Sequence, residues 1–147
     1  YNSNILENVE YISRDSKGNE YIIRASKGEI DLNNTDIIFL ENVKSLIKLT
    51  NSDQINIDSD FGKYNASNYD TIFTKNVIIT YLENKIEGEY LDFSLIRNKM
   101  IISRNVVFTN LENILRADVV EIDIDTKNTK IYMYEENKQV NIKNKDF

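Results

Sequence analysis

Apolar and polar residues alternate along most of this chain with a period of two, and that pattern is what most narrows its folding options. Tyr21, Ile23 and Ala25 fall on one side of an extended segment, with Ile22 and Arg24 on the other. Ile55 and Ile57 alternate with Asn56 and Asp58, Ile122 and Ile124 with Glu121, Asp123 and Asp125, and Ile131 and Met133 with Tyr132 and Tyr134. Alternation in β-branched and aromatic residues marks strands with one buried face. The 147 residues contain no proline. Proline cannot donate to a ladder, so a chain that is nearly all paired strand excludes it. The segment 110–120 (NLENILRADVV) reads as strand, turn and strand.

Turn chemistry interrupts the strands every eight to twelve residues. Asp15–Asn19, Asn33–Asp36, Asn65–Asn68, Arg97–Lys99 and Asp125–Asn128 are the tips. Asn and Asp tolerate the left-handed backbone and hydrogen-bond their own main chain, which suits a chain with only four glycines. Once the turns are marked a repeat appears. Asn-Val recurs at residues 8–9, 42–43, 76–77 and 105–106, in steps of 34, 34 and 29. Three copies share a body: Lys27-Gly28-Glu29 leading to Ile37–Val43, Phe61-Gly62-Lys63 leading to Thr71–Val77, and Glu87-Gly88-Glu89 leading to Met100–Val106. Short strands that cannot bury an apolar face alone do so by stacking. The predicted fold is all-β: an elongated jellyroll, or two-sheet sandwich, of stacked hairpin repeats. Residues 5–142 form the single domain, with flexible termini at 1–4 and 143–147. Unpaired edge strands are predicted near 5–14 and 131–142, and such edges recruit further strands.

Composition removes much of the catalytic menu. With no Cys and no His, the chain has no thiol nucleophile, Ser-His-Asp triad or zinc set. Its 24 acids against 18 bases, net −6, lack the basic balance of a nucleic-acid binder. No phosphate-binding glycine loop and no apolar run long enough to span a membrane occurs. Nor does Tyr1 open a signal peptide; any anchor or leader would lie upstream of it. The pairs Asp58/Asp60 and Asp123/Asp125 each project from one strand face, as a glycosidase dyad or calcium site requires. A solvated outer face is the simpler reading, and Asp123–Glu136 lacks the glycine of a calcium loop. No catalytic residue, metal ligand or cofactor is assigned.

The remaining functional signal is the interior. The inward positions are Ile23, Ile30, Leu32, Leu40, Ile57, Ile72, Ile79, Phe93, Ile102 and Phe108. If the layers close tightly, these are a core. If they splay, they line an apolar groove suited to acyl chains. Alternation alone leaves both open.

The chain resembles the LptC family of the lipopolysaccharide export bridge and, more distantly, LptA and the OstA-like group. The resemblance runs from about Asn8 to Ile142. It is carried by Asp15-Ser16-Lys17-Gly18-Asn19-Glu20-Tyr21-Ile22-Ile23-Arg24-Ala25, by Ile55–Tyr64, by Thr71–Ile79 with its Lys75-Asn76-Val77, and by Leu115-Arg116-Ala117-Asp118. It implies a periplasmic jellyroll that is not an enzyme and holds lipopolysaccharide acyl chains in its groove. An N-terminal membrane helix would tether it to the inner membrane. Its N-terminal edge, including Tyr11, would meet the jellyroll of the inner-membrane ABC transporter. Its C-terminal edge, at Ile131, Tyr132, Met133 and Tyr134, would meet an LptA-like jellyroll. Such edges also allow a homodimer. Two alternatives stand beside this: a structural or adhesive β-solenoid with a dry core, and a glycan hydrolase using a carboxylate pair.

Overall fold

The computed structural model describes residues 4–133 and the backbone of 138–142. Ten strands lie in one antiparallel meander: β1 (Ile5–Arg14), β2 (Glu20–Ile30), β3 (Ile37–Lys48), β4 (Ile55–Asn65), β5 (Thr71–Tyr81), β6 (Asn84–Ser94), β7 (Lys99–Thr109), β8 (Ile114–Asp123), β9 (Thr129–Met133) and β10 (Lys138–Ile142). Each strand pairs only with its neighbours in sequence, in the order β1 to β10. The all-β jellyroll expectation holds, with its two layers as halves of one folded ribbon. The predicted tips fall between β1 and β2, β2 and β3, β4 and β5, β6 and β7, and β8 and β9.

The ribbon folds along a line that crosses every long strand near its middle. On the odd strands that line is the repeated Asn-Val. Asn8, Asn42, Asn76 and Asn105 have φ of 50°, 55°, 52° and 56°, and Lys75 and Arg104 join them at 65° and 69°. A left-handed residue inside a strand bends it, and Asn pays less for that conformation than most side chains do. The register shifts between Asp58/Phe61, Thr74/Val77, Glu87/Tyr90 and Ser103/Val106. At the bend two or three successive residues face outward: two between Ala25 and Gly28 and between Leu40 and Val43, which changes the phase of the inward set, and three between Phe73 and Val77 and between Ile102 and Val106, which keeps it. Outside the bend, Asn42 Nδ2 donates to Ser26 Oγ (3.0 Å) and Asn76 Nδ2 to Asp60 Oδ2 (2.7 Å).

The two halves of each strand therefore lie in facing layers. Tyr21, in the first half of β2, packs on Phe93, in the second half of β6, with ring centroids 4.5 Å apart. Tyr11 stacks on Tyr64 at 5.0 Å. At the rim away from the bend, Lys17 Nζ in the β1–β2 turn meets Asp125 Oδ2 in the β8–β9 turn at 2.8 Å. Lys127 of the same turn lies over the Tyr81 ring, 5.6 Å from its centroid. At the start of the described residues, Asn4 Nδ2 donates to the Ile30 carbonyl at 3.2 Å.

Candidate functional site: the interior between the layers

The inner faces merge into one apolar cluster running from β2 to β9. Its largest fully buried members include Tyr21, Phe73, Phe93, Ile57 and Leu91. Glycines let the layers approach at the bend. A Cβ on Gly62 would lie 3.2 Å from Val43 Cγ2, and one on Gly88 would lie 2.8 Å from Ile102 Cγ1. Both neighbours are themselves inward and buried.

Seven of the ten predicted interior residues are buried in this cluster: Ile23, Leu40, Ile57, Ile79, Phe93, Ile102 and Phe108. Ile30 is half-buried and packs against it. Two positions are corrected. Leu32 lies in the β2–β3 turn and is 69% exposed. Ile72 faces outward because its neighbour Phe73 takes the inward place. It lines a surface hollow of about 350 Å³ with Phe39, Phe61 and Lys63. Sequence reasoning left out Phe73, Val77 and Leu91, all fully buried. Phe73 keeps the parity of Val77 and Ile79 across the bend, and that shared parity was the signal for it.

The interior is not sealed at its two ends. At β1, inward-facing Val9 and Tyr11 are only half-buried, and at β8 the same holds for Leu115 and Ala117. β1 is an edge, paired only with β2. β9 pairs with Val119–Ile122 alone, so among the described residues no further strand pairs with Ile114–Ala117. These two places are the ends of the apolar interior.

The predicted partner edges need correction in detail. Tyr11 lies on edge strand β1, but its ring turns inward onto Tyr64. Ile131, Tyr132 and Met133 form β9, which is hydrogen-bonded to β8 on one side and β10 on the other. They are not a free edge, and Ile131 is fully buried. The terminal strand is β10, which adds another rung beyond β9. Tyr134 lies outside the described residues.

The interior holds a few hydroxyls among its hydrocarbon. The Tyr21 hydroxyl donates to Thr71 Oγ1 at 2.8 Å, and burial raises its pKa far above the ordinary tyrosine value. Burial likewise pushes Tyr64 up to about 12. Both phenols stay neutral at any physiological pH. The carboxylate pairs are engaged on the outside. Asp58 faces Lys44 at 4.0 Å and Asp60 accepts from Asn76. Asp123 caps its turn through the N–H groups of Asp125 and Thr126, and Asp125 accepts from Lys17 and Asn98. Each has a structural partner.

A ribbon folded around an apolar interior, with the pairs Asp58/Asp60 and Asp123/Asp125 on its outside, defines the class: a β-jellyroll with a hydrocarbon core between its two layers. A family profile described as "Lipopolysaccharide-assembly, LptC-related" matches residues 3–133. The chain belongs to the LptC family, which ties it to lipopolysaccharide transport. No curated protein matches the chain.

Proposed function

We propose that this chain is a non-enzymatic conduit that takes lipopolysaccharide acyl chains into the space between its layers and passes them along the trough. The observation that carries the reading is the continuous apolar interior, whose inward residues become half-exposed at β1 and at β8. An acyl chain gains about 0.8 kcal/mol per methylene on leaving water. The interior side chains are packed, so loading requires the layers to part at the rim. The bend supplies the hinge line, and the rim contacts of Lys17 and Lys127 are few and peripheral. The working place is the periplasm, next to an inner-membrane transporter at the β1 edge and an LptA-like jellyroll at the far end. An upstream helix would tether it to the membrane, and copies could pair through the same edges. β-augmentation supplies the joining geometry.

Site-specific photocrosslinking tests this. Crosslinkers at Ile57 or Phe93, both fully buried and inward, should capture lipopolysaccharide, while one at outward Asp58 should not. Equal capture from both faces refutes the trough. The complete burial of Phe73, Phe93 and Ile79 favours one other reading, a dry-cored module that assembles through its edges. That reading predicts no capture from either face, together with self-association in solution.

A further inference from the structure

We propose that the β1 end of the trough contains a hydroxyl-lined subsite that recognises an oxygen substituent, hydroxyl or keto, on an otherwise hydrocarbon chain. The inference rests on the acyl-chain reading above and adds a selectivity to it. Ser13 on β1 and Ser45 on β3 face inward at 6% and 3% exposure. Neither Oγ has a hydrogen-bond partner. Buried hydroxyls are almost always paired, because leaving one unpaired forfeits its hydration with nothing in return. Here two occur on strands either side of β2. Ser13 is the register partner of Tyr21, and Ser45 stands two residues from Ile47, the partner of Tyr21 on β3.

Further hydroxyls surround them from both layers. The Tyr21 hydroxyl donates to Thr71 Oγ1, which in turn donates to the Tyr69 carbonyl at 3.2 Å. The Tyr21 hydroxyl lies beside Ser45, and that of Tyr64 beside Ser13, near enough for a weak hydrogen-bonding influence that lowers each phenol's pKa, yet neither serine Oγ makes a bond of good distance and angle. The group adjoins the β1 mouth, where half-exposed Tyr11 stacks on Tyr64. A chain entering there passes the aromatic pair and then meets two serines that can each donate and accept. An unsubstituted chain leaves both unpaired, whereas an oxygen on the chain satisfies one of them.

Calorimetric titration of the full chain with three fatty acids of equal length, unsubstituted, hydroxylated and keto-substituted, tests the idea. The oxygenated acids should bind about five- to tenfold tighter than the plain one, the equivalent of one net hydrogen bond. A preference for both oxygenated acids marks serines that donate to the ligand oxygen; a preference for the hydroxy acid alone marks serines that accept its O–H. The double variant Ser13→Ala/Ser45→Ala should lose the preference and keep its affinity for the plain acid. Ser13→Thr/Ser45→Thr, which keeps both hydroxyls, should retain the preference. Equal binding of all three acids by the unaltered chain overturns the subsite while leaving the trough in place. Binding of none overturns the subsite and the trough together. A preference that survives the alanine pair, with a lowered melting temperature, shows the serines to hold only a trapped water and also overturns it.

Discussion

Gly88→Ala is the sharpest probe of how the two layers are brought together. Gly88 sits on the inner face of β6 beside the bend, with an ordinary negative φ, so alanine has no backbone conflict there. By itself the change stabilises, since alanine has less conformational freedom to lose on folding, by about 0.4–1 kcal/mol. Against this stands a clash. The new Cβ would lie 2.8 Å from Ile102 Cγ1, 3.0 Å from Ile102 Cδ1 and 3.2 Å from the Ser103 carbonyl oxygen. Ile102 is fully buried and Ser103 O is backbone, so neither can simply swing away. Overpacking of this kind costs about 1–3 kcal/mol. The clash wins, and the net loss is about 1–2 kcal/mol, or roughly 2–8 °C in melting temperature for a chain near this size.

Two comparisons guard against a trivial result. Gly28→Ala meets a milder contact, the buried Ile38 Cγ2 at 3.3 Å, so its overpacking is smaller and the variant should melt clearly above Gly88→Ala. Ile102→Ala alone should cost about 2–5 kcal/mol as a core truncation. In the Gly88→Ala background it should cost about 1 kcal/mol less, because the truncation makes room for the new methyl. Urea denaturation of the four corners of this cycle gives the coupling directly. If Gly88→Ala melts with Gly28→Ala, or the cycle is additive, close approach at the bend is not what sets the spacing of the layers.

Four further outcomes follow from the same geometry. Bridging Lys17→Cys to Asp125→Cys with a short bis-thiol reagent ties the rim where the two side chains now meet at 2.8 Å; the chain has no other cysteine, and capture of lipopolysaccharide at Phe93 should fall to background. Lys17→Ala, which removes only an exposed ion pair screened by solvent, should leave capture intact. Asn42→Val forces a β-branched residue to a φ of 55° and should cost about 1–2 kcal/mol, whereas Asn42→Gly should cost less, as judged by chemical denaturation. Tyr64 titrates near 12 in the fold against the usual 10; its contribution to stability is complete below about pH 10 and is lost as the pH rises through 12, so ultraviolet titration should find a late phenol that Tyr64→Phe removes.

The turns were legible because their chemistry is local. Asp15 shows it: its Oδ1 accepts from the N–H of Lys17 and of Asn19, each at 2.9 Å, inside the five residues that the sequence marks as a tip. The bend was half legible. The Asn-Val repeat stood out by its spacing, but Asn reads as a turn former, and nothing local distinguishes an Asn that ends a strand from one that folds a strand in its middle. That ambiguity carried over to the inward set. In Ile72-Phe73 both residues are apolar, so alternation could not choose between them, and only the phase set by Val77 and Ile79 across the bend assigns Phe73 to the interior. Leu32 failed for a different reason: β2 ends at Ile30, and an apolar residue beyond the last rung has no layer to face. At the C-terminal end, β10 falls inside the edge read at 131–142, where Val140 and Ile142 alternate with Gln139 and Asn141; the pattern did not show that Ile131–Met133 is a separate strand with a neighbour on each side.

Folding the ribbon along a line has a consequence for transport that a closed barrel lacks. Each strand through β8 contributes one segment to each layer, so adding strands lengthens the apolar interior without narrowing it, and on the proposed reading its ends at β1 and at Ile114–Ala117 are where a chain enters and leaves. A neighbouring jellyroll joined in register at such an end would prolong both layers and the space between them. The energetic stake is large. At about 0.8 kcal/mol per methylene, a chain with ten buried methylenes would face about 8 kcal/mol on release into water, a slowing of about a millionfold. Sliding across a junction that bares only about two methylenes at a time faces about 1.6 kcal/mol, a slowing of about fifteenfold. A trough that is open at its ends and held shut along its rim favours the second route over the first, and that difference needs no chemistry from the protein at all.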